Sequence, residues 1–440
     1  MNASTLESGR TAPRIPFEVR ALLSALQLSK PNAAPLKKLS NEEWISLLAF
    51  CDLAHLTLQV ARLPMDGFPD WAVERLRTNL ADNTLRFERV KVTYREAAEA
   101  LKQAGIEHLV IKGFTQSPDY VADPRFRAQS DIDFFCLPKD IDAANSALQT
   151  IGYRPYGTRI NCDRADHVVP LVRPGKWRWR RNPFDPEMPL GIELHFCLWN
   201  ERVSQIRIPE TGLFWERRIT RTIDGLSFSC LSPVDHLGYL ALHILRNLFL
   251  GDWIVHHVRE LAVFLHSHAG NEAFWQTWNE THSPSLRSFE AIAFYYARDW
   301  FDCRLHPLAA HEIDGLPATR RSWLNCFSGS ALELMFHGNK DSVWLHLGFL
   351  SSHKKKWMTL KRRLIPTRVG SIGSPAIQVR NRRVLQSHDS PLWRQYIAYL
   401  LSRFADHGRA NMTTLTRFLS WRLFQHSRAR NLPMVSRMRD

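Results

Sequence analysis

Two carboxylates, Asp131 and Asp133, stand one residue apart in "SDIDFFC", at the head of an apolar run. Side chains on a strand alternate between faces. Both aspartates therefore share one face, and Ile132 and Phe134 take the other. Neighbouring carboxylates repel each other unless positive charge lies between them. A hard divalent cation such as Mg²⁺ or Mn²⁺ supplies that charge and takes oxygen ligands. A third carboxylate on a nearby strand would complete a site for one or two metals. The segment "GIELHF" offers Glu193, on the face opposite Ile192 and Leu194. Sites of this kind polarise a phosphoryl oxygen and activate an attacking hydroxyl. The competing reading is a solvated strand end, where Asp-x-Asp occurs and holds nothing.

The elements that must position these groups follow from periodicity. Residues 17–30 and 41–62 read as helices, the second with Asn41 as N-cap. A long helix runs from about Asp70 to Ala104. Its apolar face comprises Leu76, Leu80, Phe87, Val90, Tyr94, Ala97 and Leu101, and Gly105 ends it. Strands are expected in "IEHLVIKG", "DIDFFCL", "HVVPLVR" and "LGIELHFCLW". A helix, "PKDIDAANSALQTIGY", lies between the second and third strands. This order is the grammar of a small α/β unit over residues 106–200. Beyond Ser232-Pro233 the chain reads as helical, near 233–249, 252–268, 272–279, 286–303 and 330–349. Two more helices are expected near 391–406 and 413–427. "RRLIPTRVGSIGSP" reads as a linker.

The run "HLVIKGFTQSPDYVADPRFRAQSDIDFFCLPKDIDAANSALQTIGY" resembles a poorly characterised bacterial nucleotidyltransferase family of the DNA polymerase β-like superfamily. The residues that carry the resemblance are Ile111-Lys112-Gly113, Tyr120, Pro124, Arg127, Ser130-Asp131-Ile132-Asp133, Gly152-Tyr153 and Glu193-Leu194-His195. They span about 106–200, with a weaker likeness to about 270. The resemblance implies an α+β fold: a small mixed-sheet nucleotidyltransferase core between N- and C-terminal helical regions. The expected division is 1–105, 106–230, 231–350 and 351–440. It implies transfer of a nucleoside monophosphate from a nucleoside triphosphate, by default ATP, to an acceptor hydroxyl, with release of pyrophosphate. Asp131, Asp133 and Glu193 would hold the metal. Many members of the superfamily place a Gly-Ser before the carboxylates, whereas here Lys112 and Gly113 stand in that place. Lys112 would then meet the phosphates, Gly113 would let the backbone approach them, and Ser130 would lie beside them. Arg127 is a second phosphate ligand by its guanidinium geometry. Otherwise Lys112 is a solvated strand end, and Arg127 pairs with Asp131 or Asp123. The second reading of the whole chain is an inactive nucleotide- or RNA-binding protein that keeps the fold.

His195 shares the Glu193 face, where it either orders that carboxylate, touches substrate or is structural. His243 reads as a core histidine. His256-His257 lack the HExxH spacing of a zinc site. No P-loop, dinucleotide fingerprint or GxSxG is present. The loop "RPGKWRWRRNPFDPEMP" interleaves cations with Trp177 and Trp179, which suits a single strand of nucleic acid or a solvated hairpin whose tryptophans cover a sheet edge. The seven cysteines include no CxxC, which fits reduced thiols in a cytoplasmic protein. The N-terminal stretch has no apolar core segment, so a signal peptide is not expected. Net charge is concentrated. Residues 351–440 hold 19 Lys/Arg against 3 Asp/Glu, and the preceding 350 residues hold 39 against 40. Such a tail implies an anionic partner or the substrate's phosphates. The helix at 391–406 is expected to pack Leu392, Tyr396, Tyr399, Leu400 and Phe404 on the body.

Overall fold

Helix α1 (Phe17–Ala25), α2 (Asn41–Leu53) and the single turn α3 (Thr57–Val60) lead into the long α4 (Asp70–Gln103). The computed structural model describes residues 14–156, 165–180, 182–365 and 392–430. The chain then lays down β1 (His108–Ile111), β2 (Asp131–Cys136), α5 (Ile141–Thr150), β3 (Arg154–Pro155), β4 (Leu171–Val172) and β5 (Gly191–His195). These strands form one mixed sheet in the order β1-β2-β5-β4-β3. Only the β2/β5 pair is parallel. A short helix, α6 (Glu201–Ser204), precedes a hairpin of β6 (Ile219–Ile223) and β7 (Leu226–Cys230). The fold is thus α+β, with helical regions flanking a mixed sheet.

One face of the sheet forms a core. Ile132, Phe134, Ile192 and Leu194 pack there with Phe87, Val90, Tyr94 and Ala97 of α4, Ala144 and Leu148 of α5, and Phe228 of the hairpin. Helices α7 (Pro233–Leu250), α8 (Val255–Ser267), α9 (Glu272–Thr281), α10 (Pro284–Phe301) and α11 (Pro307–Asp314) follow. Residues 16–247 and 254–316 make one compact unit.

The second unit contains Leu248–Trp253 and the residues from Pro317 onward. It holds α12 (Ala318–Phe327), α13 (Ser330–Glu333), α14 (Ser342–Leu347), α15 (His353–Leu364) and α16 (Leu392–Arg430). Arg417 of α16 pairs with Glu333 at 2.8 Å and with Asp341 at 2.9 Å. Trp344 stacks on Phe418 with ring centroids 3.9 Å apart.

Several expectations change. The helix expected at 17–30 stops at Ala25, after which Leu28 and Ser29 donate backbone bonds to Phe301 and Asp302. The helix expected at 41–62 breaks because His55 adopts a left-handed φ of 54°. Its N-cap is Ser40, not Asn41: the Ser40 hydroxyl accepts from the Glu43 N–H while the Glu43 carboxylate accepts from the Ser40 N–H. The single helix expected at 330–349 is two, interrupted where the Asn339 side chain donates to the Ser330 carbonyl and accepts from the Asp341 N–H. The two helices expected at the C-terminus are one. Its buried face carries Tyr399, Ala410 and Thr414, and Phe404, expected to be packed, is 76% exposed. The side chains of Leu392 and Tyr396, Arg181, Cys162 and most of the expected linker lie outside the described residues.

Candidate active site

Asp133 and Glu193 face each other because β2 and β5 run parallel with Asp133 opposite Glu193 and Phe135 opposite His195. The pleat puts Asp131, Asp133, Glu193 and His195 on the face away from the core. Each of Asp133, Glu193 and His195 brings a donor atom within 4.8 Å of the other two. Asp131 lies one pleat earlier, opposite Gly191.

The start of β2 is pinned from α4. Asn83 Nδ2 donates to the carbonyls of Arg125 and Arg127 at 2.7 and 3.2 Å. The buried Arg86 guanidinium donates to the carbonyls of Gln129, Asp185 and Met188 at 2.8–3.1 Å. One side chain thereby fixes the segments that enter β2 and β5. The Gln129 amide in turn donates to the Asp131 carbonyl at 2.6 Å.

Lys112 ends β1 in a strained conformation, φ 58° and ψ −159°, a region populated almost entirely by glycine. Its Nζ lies 2.8 Å from Asp133 Oδ1, and it is not a solvated strand end. Gly113 follows at φ 56°, and a Cβ there would sit 2.4 Å from Gln129 Nε2. The group that approaches Gly113 closely is therefore the Gln129 amide.

Asp133 Oδ1 is also 2.7 Å from His195 Nε2, which is 3.5 Å from Glu193 Oε2. Behind His195 stands Asp166, held by Arg246 at 2.9 Å. Burial pushes the Asp133 carboxyl up, but Lys112 and His195 outweigh it and hold the group well below the usual carboxylate range. Asp131 has neither partner. Burial, then the charges of Asp133 and Glu193, raise it. Burial and Lys112 lower the His195 imidazole, yet its hydrogen bonds to Asp133 and Glu193 leave it raised overall.

Two carboxylates and an imidazole converging at this range form a donor set that fits a divalent cation. The nitrogen ligand suits Mn²⁺ better than the oxygen-loving Mg²⁺.

Asp131, Asp133, Lys112, Arg127 and Ser130 line one cavity of about 210 Å³. Arg127 pairs with neither Asp131 nor Asp123; its Nε donates to Glu260 Oε1 at 2.7 Å, and Asp123 is taken by Arg125. The opposite wall belongs to α8, with His256, His257, Arg259 and Glu260, together with His243 and His55. Local sequence spacing does not connect these residues to the carboxylates. Their signal is a polar strip within a helix whose Val255, Val258, Leu261, Phe264 and Leu265 are buried. His243 is buried as expected, but its Nε2 meets His257 Nε2 at 3.2 Å beside this cavity. In the Trp-rich loop, Trp177 donates to Asp185 at 3.0 Å and Trp179 is exposed.

Among the described residues no helix is long and apolar enough to cross a membrane. No curated protein and no solved structure matches the chain. The model of a family described as uncharacterised nucleotidyltransferase matches residues 38–302, which takes in α4, the whole sheet, the carboxylates and the α8 wall. The chain belongs to that nucleotidyltransferase family.

Proposed function

We propose that the protein is a metal-dependent nucleotidyltransferase that moves a nucleoside monophosphate from a nucleoside triphosphate, ATP by default, onto an acceptor hydroxyl in the cytoplasm. The observation that carries this reading is the parallel register that sets Asp133 against Glu193 beside His195, with Asp133 and Asp131 lining the cavity that Lys112 and Arg127 also line. Asp131, Asp133, Glu193 and His195 hold the divalent cation, which supplies positive charge against the phosphates when bound. Lys112, Arg127 and Ser130 position the triphosphate, and Gly113 serves them through Gln129. The acceptor oxygen forms a bond to the α-phosphorus as the bond to the pyrophosphate oxygen breaks. The hydroxyl proton passes to Glu193. Positioning and charge neutralisation do most of the work in such transfers. The basic helix α15, with six Lys/Arg and no acid, supports an anionic partner for the C-terminal region. The catalytic region is 106–230, between the helical regions 1–105 and 231–350 and the basic 351–440.

One observation favours a second reading, an inactive nucleotide- or RNA-binding protein. The Lys112 ammonium sits on Asp133 where a cation would bind. Incubation with each labelled nucleoside triphosphate, Mg²⁺ or Mn²⁺, and cell extract as acceptor source separates the two. Label should transfer with wild type, more strongly with Mn²⁺, and fall at least a hundredfold in D131N/D133N. Equal labelling by variant and wild type sinks the assigned site.

A further inference from the structure

The α8 wall of the cavity holds polar atoms that the protein does not satisfy. His256 Nδ1, His257 Nδ1, Arg259 Nε and Nη1, and Glu260 Oε2 are buried without a hydrogen-bond partner among the described residues. Native proteins leave few such atoms, because each carries a desolvation cost. His257 Nδ1 and Glu260 Oε2 lie 3.6 Å apart, so a small rotation would pair them. Arg259 and His256 have no such partner among the described residues: the Arg259 guanidinium lies over the Phe301 ring, 5.6 Å from its centroid, and the His256 ring lies against His55 and His257. The titratable groups that act on Arg259 are the Arg62 guanidinium and the Cys303 thiol, which burial keeps neutral. Burial, then Arg62, lowers its guanidinium to about 10, so it stays charged at neutral pH. Arg62 itself is exposed and lies over the ring of Phe126, another cavity residue. On the same wall, the one acid, Glu260, is already offset by Arg127. The wall thus carries a half-buried guanidinium that no carboxylate pairs among the described residues. An uncompensated buried charge is strongly unfavourable, and an anion placed against it removes the penalty.

We infer that the α8 wall is an oxyanion subsite, in which Arg259, with His256 beside it, binds a phosphate or carboxylate group of the ligand. The inference rests on the nucleotidyl-transfer reading for what that ligand is, and not for whether an anion binds. Two sources share this chemistry: the terminal phosphates of the nucleotide, and an acidic group on the acceptor. Arg259 is matched to either, since its planar donor fork pairs with two oxygens at once.

The test uses the full chain in excess EDTA with inorganic phosphate, followed by calorimetry. Wild type should bind phosphate, R259Q should bind at least tenfold more weakly, and R259K should recover part of the loss. K112M should lose less than R259Q. Phosphate binding that is absent from wild type, unchanged in R259Q, or lost in K112M while R259Q keeps it overturns the subsite. Thermal melts guard against misfolding. In anion-free buffer R259Q should melt at the same temperature as wild type or higher, because it removes an uncompensated charge. A lower melting temperature together with unchanged phosphate binding assigns Arg259 a structural role and ends the proposal. A second arm adds Mn²⁺ with ATP or AMP. Weaker ATP but equal AMP binding in R259Q assigns the subsite to the terminal phosphates, and unchanged binding of both assigns it to the acceptor. If no nucleotide is ever transferred but phosphate binding still depends on Arg259, the subsite stands and the transfer reading falls. If transfer depends on Asp133 while phosphate binding ignores Arg259, the subsite alone falls.

Discussion

At the scale of single residues, Asp133 is the most constrained group in the site. It is 4% exposed and accepts from both Lys112 and His195. Lys112 reaches it from a backbone conformation that is unfavourable by roughly 1–3 kcal/mol. The ammonium competes with any divalent cation for the same oxygen. K112M should therefore bind Mn²⁺ at least tenfold more tightly than wild type, as read by electron paramagnetic resonance titration. Unchanged or weaker binding would show that Lys112 and the metal do not share Asp133. How much of this was legible follows from period. Alternation alone puts Asp131 and Asp133 on one face of β2, and Glu193 and His195 on one face of β5. His195 remained ambiguous, because a strand pattern shows which residues share a face but not which of them meet. The ion-pair partner of Arg127 is not legible for the same reason. Its partner Glu260 comes from a helix 133 residues away, and nothing in local spacing announces that.

Among the elements, α4 does more than bury an apolar stripe. Tyr94 and Val90 were legible from their spacing. The buried Asn83 and Arg86 were not, because a polar residue on a helix reads by default as solvated. Arg86 holds three carbonyls on two segments, so R86M leaves those acceptors unpaired in the interior. It should lower the free energy of unfolding by about 3–5 kcal/mol, as read from urea denaturation. A loss under 1 kcal/mol would mean that the segments entering β2 and β5 are held by something else. The β6/β7 hairpin was missed although "TIDGLSF" carries an Asp-Gly turn between strand-like runs. Asp224 and Gly225 both have positive φ, as that turn requires. The break at His55 has no such sequence cue, since histidine does not ordinarily mark a left-handed residue.

For the molecule as a whole, stability and chemistry draw on different buried charges. His282 is 2% exposed and lies 2.8 Å from Glu290 and 3.5 Å from Asp235. Burial alone would depress the imidazole, but the two carboxylates raise it to about 9. Its contribution to stability is therefore complete below about pH 6.5 and is lost as pH rises through about 9. The urea midpoint of wild type should fall between pH 7 and 10 by more than that of H282N. Parallel pH profiles would remove His282 from the account. Asp133 is already neutralised by the protein itself, so folding does not need a metal. Chelation by EDTA should shift the melting temperature by less than about 2 °C, in contrast to sites where metal binding is folding free energy. A large drop would mean that Lys112 and His195 do not suffice.

The parallel β2/β5 ladder has a further consequence. Its register is set by the buried alternation of Ile132 and Phe134 with Ile192 and Leu194, because a one-residue slip would turn Glu193 into the core and Ile192 out of it. The length of the chain between the strands does not enter that condition, and lengthening a loop changes its closure entropy only slowly. The exposed loop after β4, residues 174–180, is thus open to insertion, deletion or exchange while Asp133 still meets Glu193. If the protein is the nucleotidyltransferase proposed above, its acceptor preference can drift over evolutionary time, or be exchanged by grafting that loop, while the carboxylate pair stays where it is.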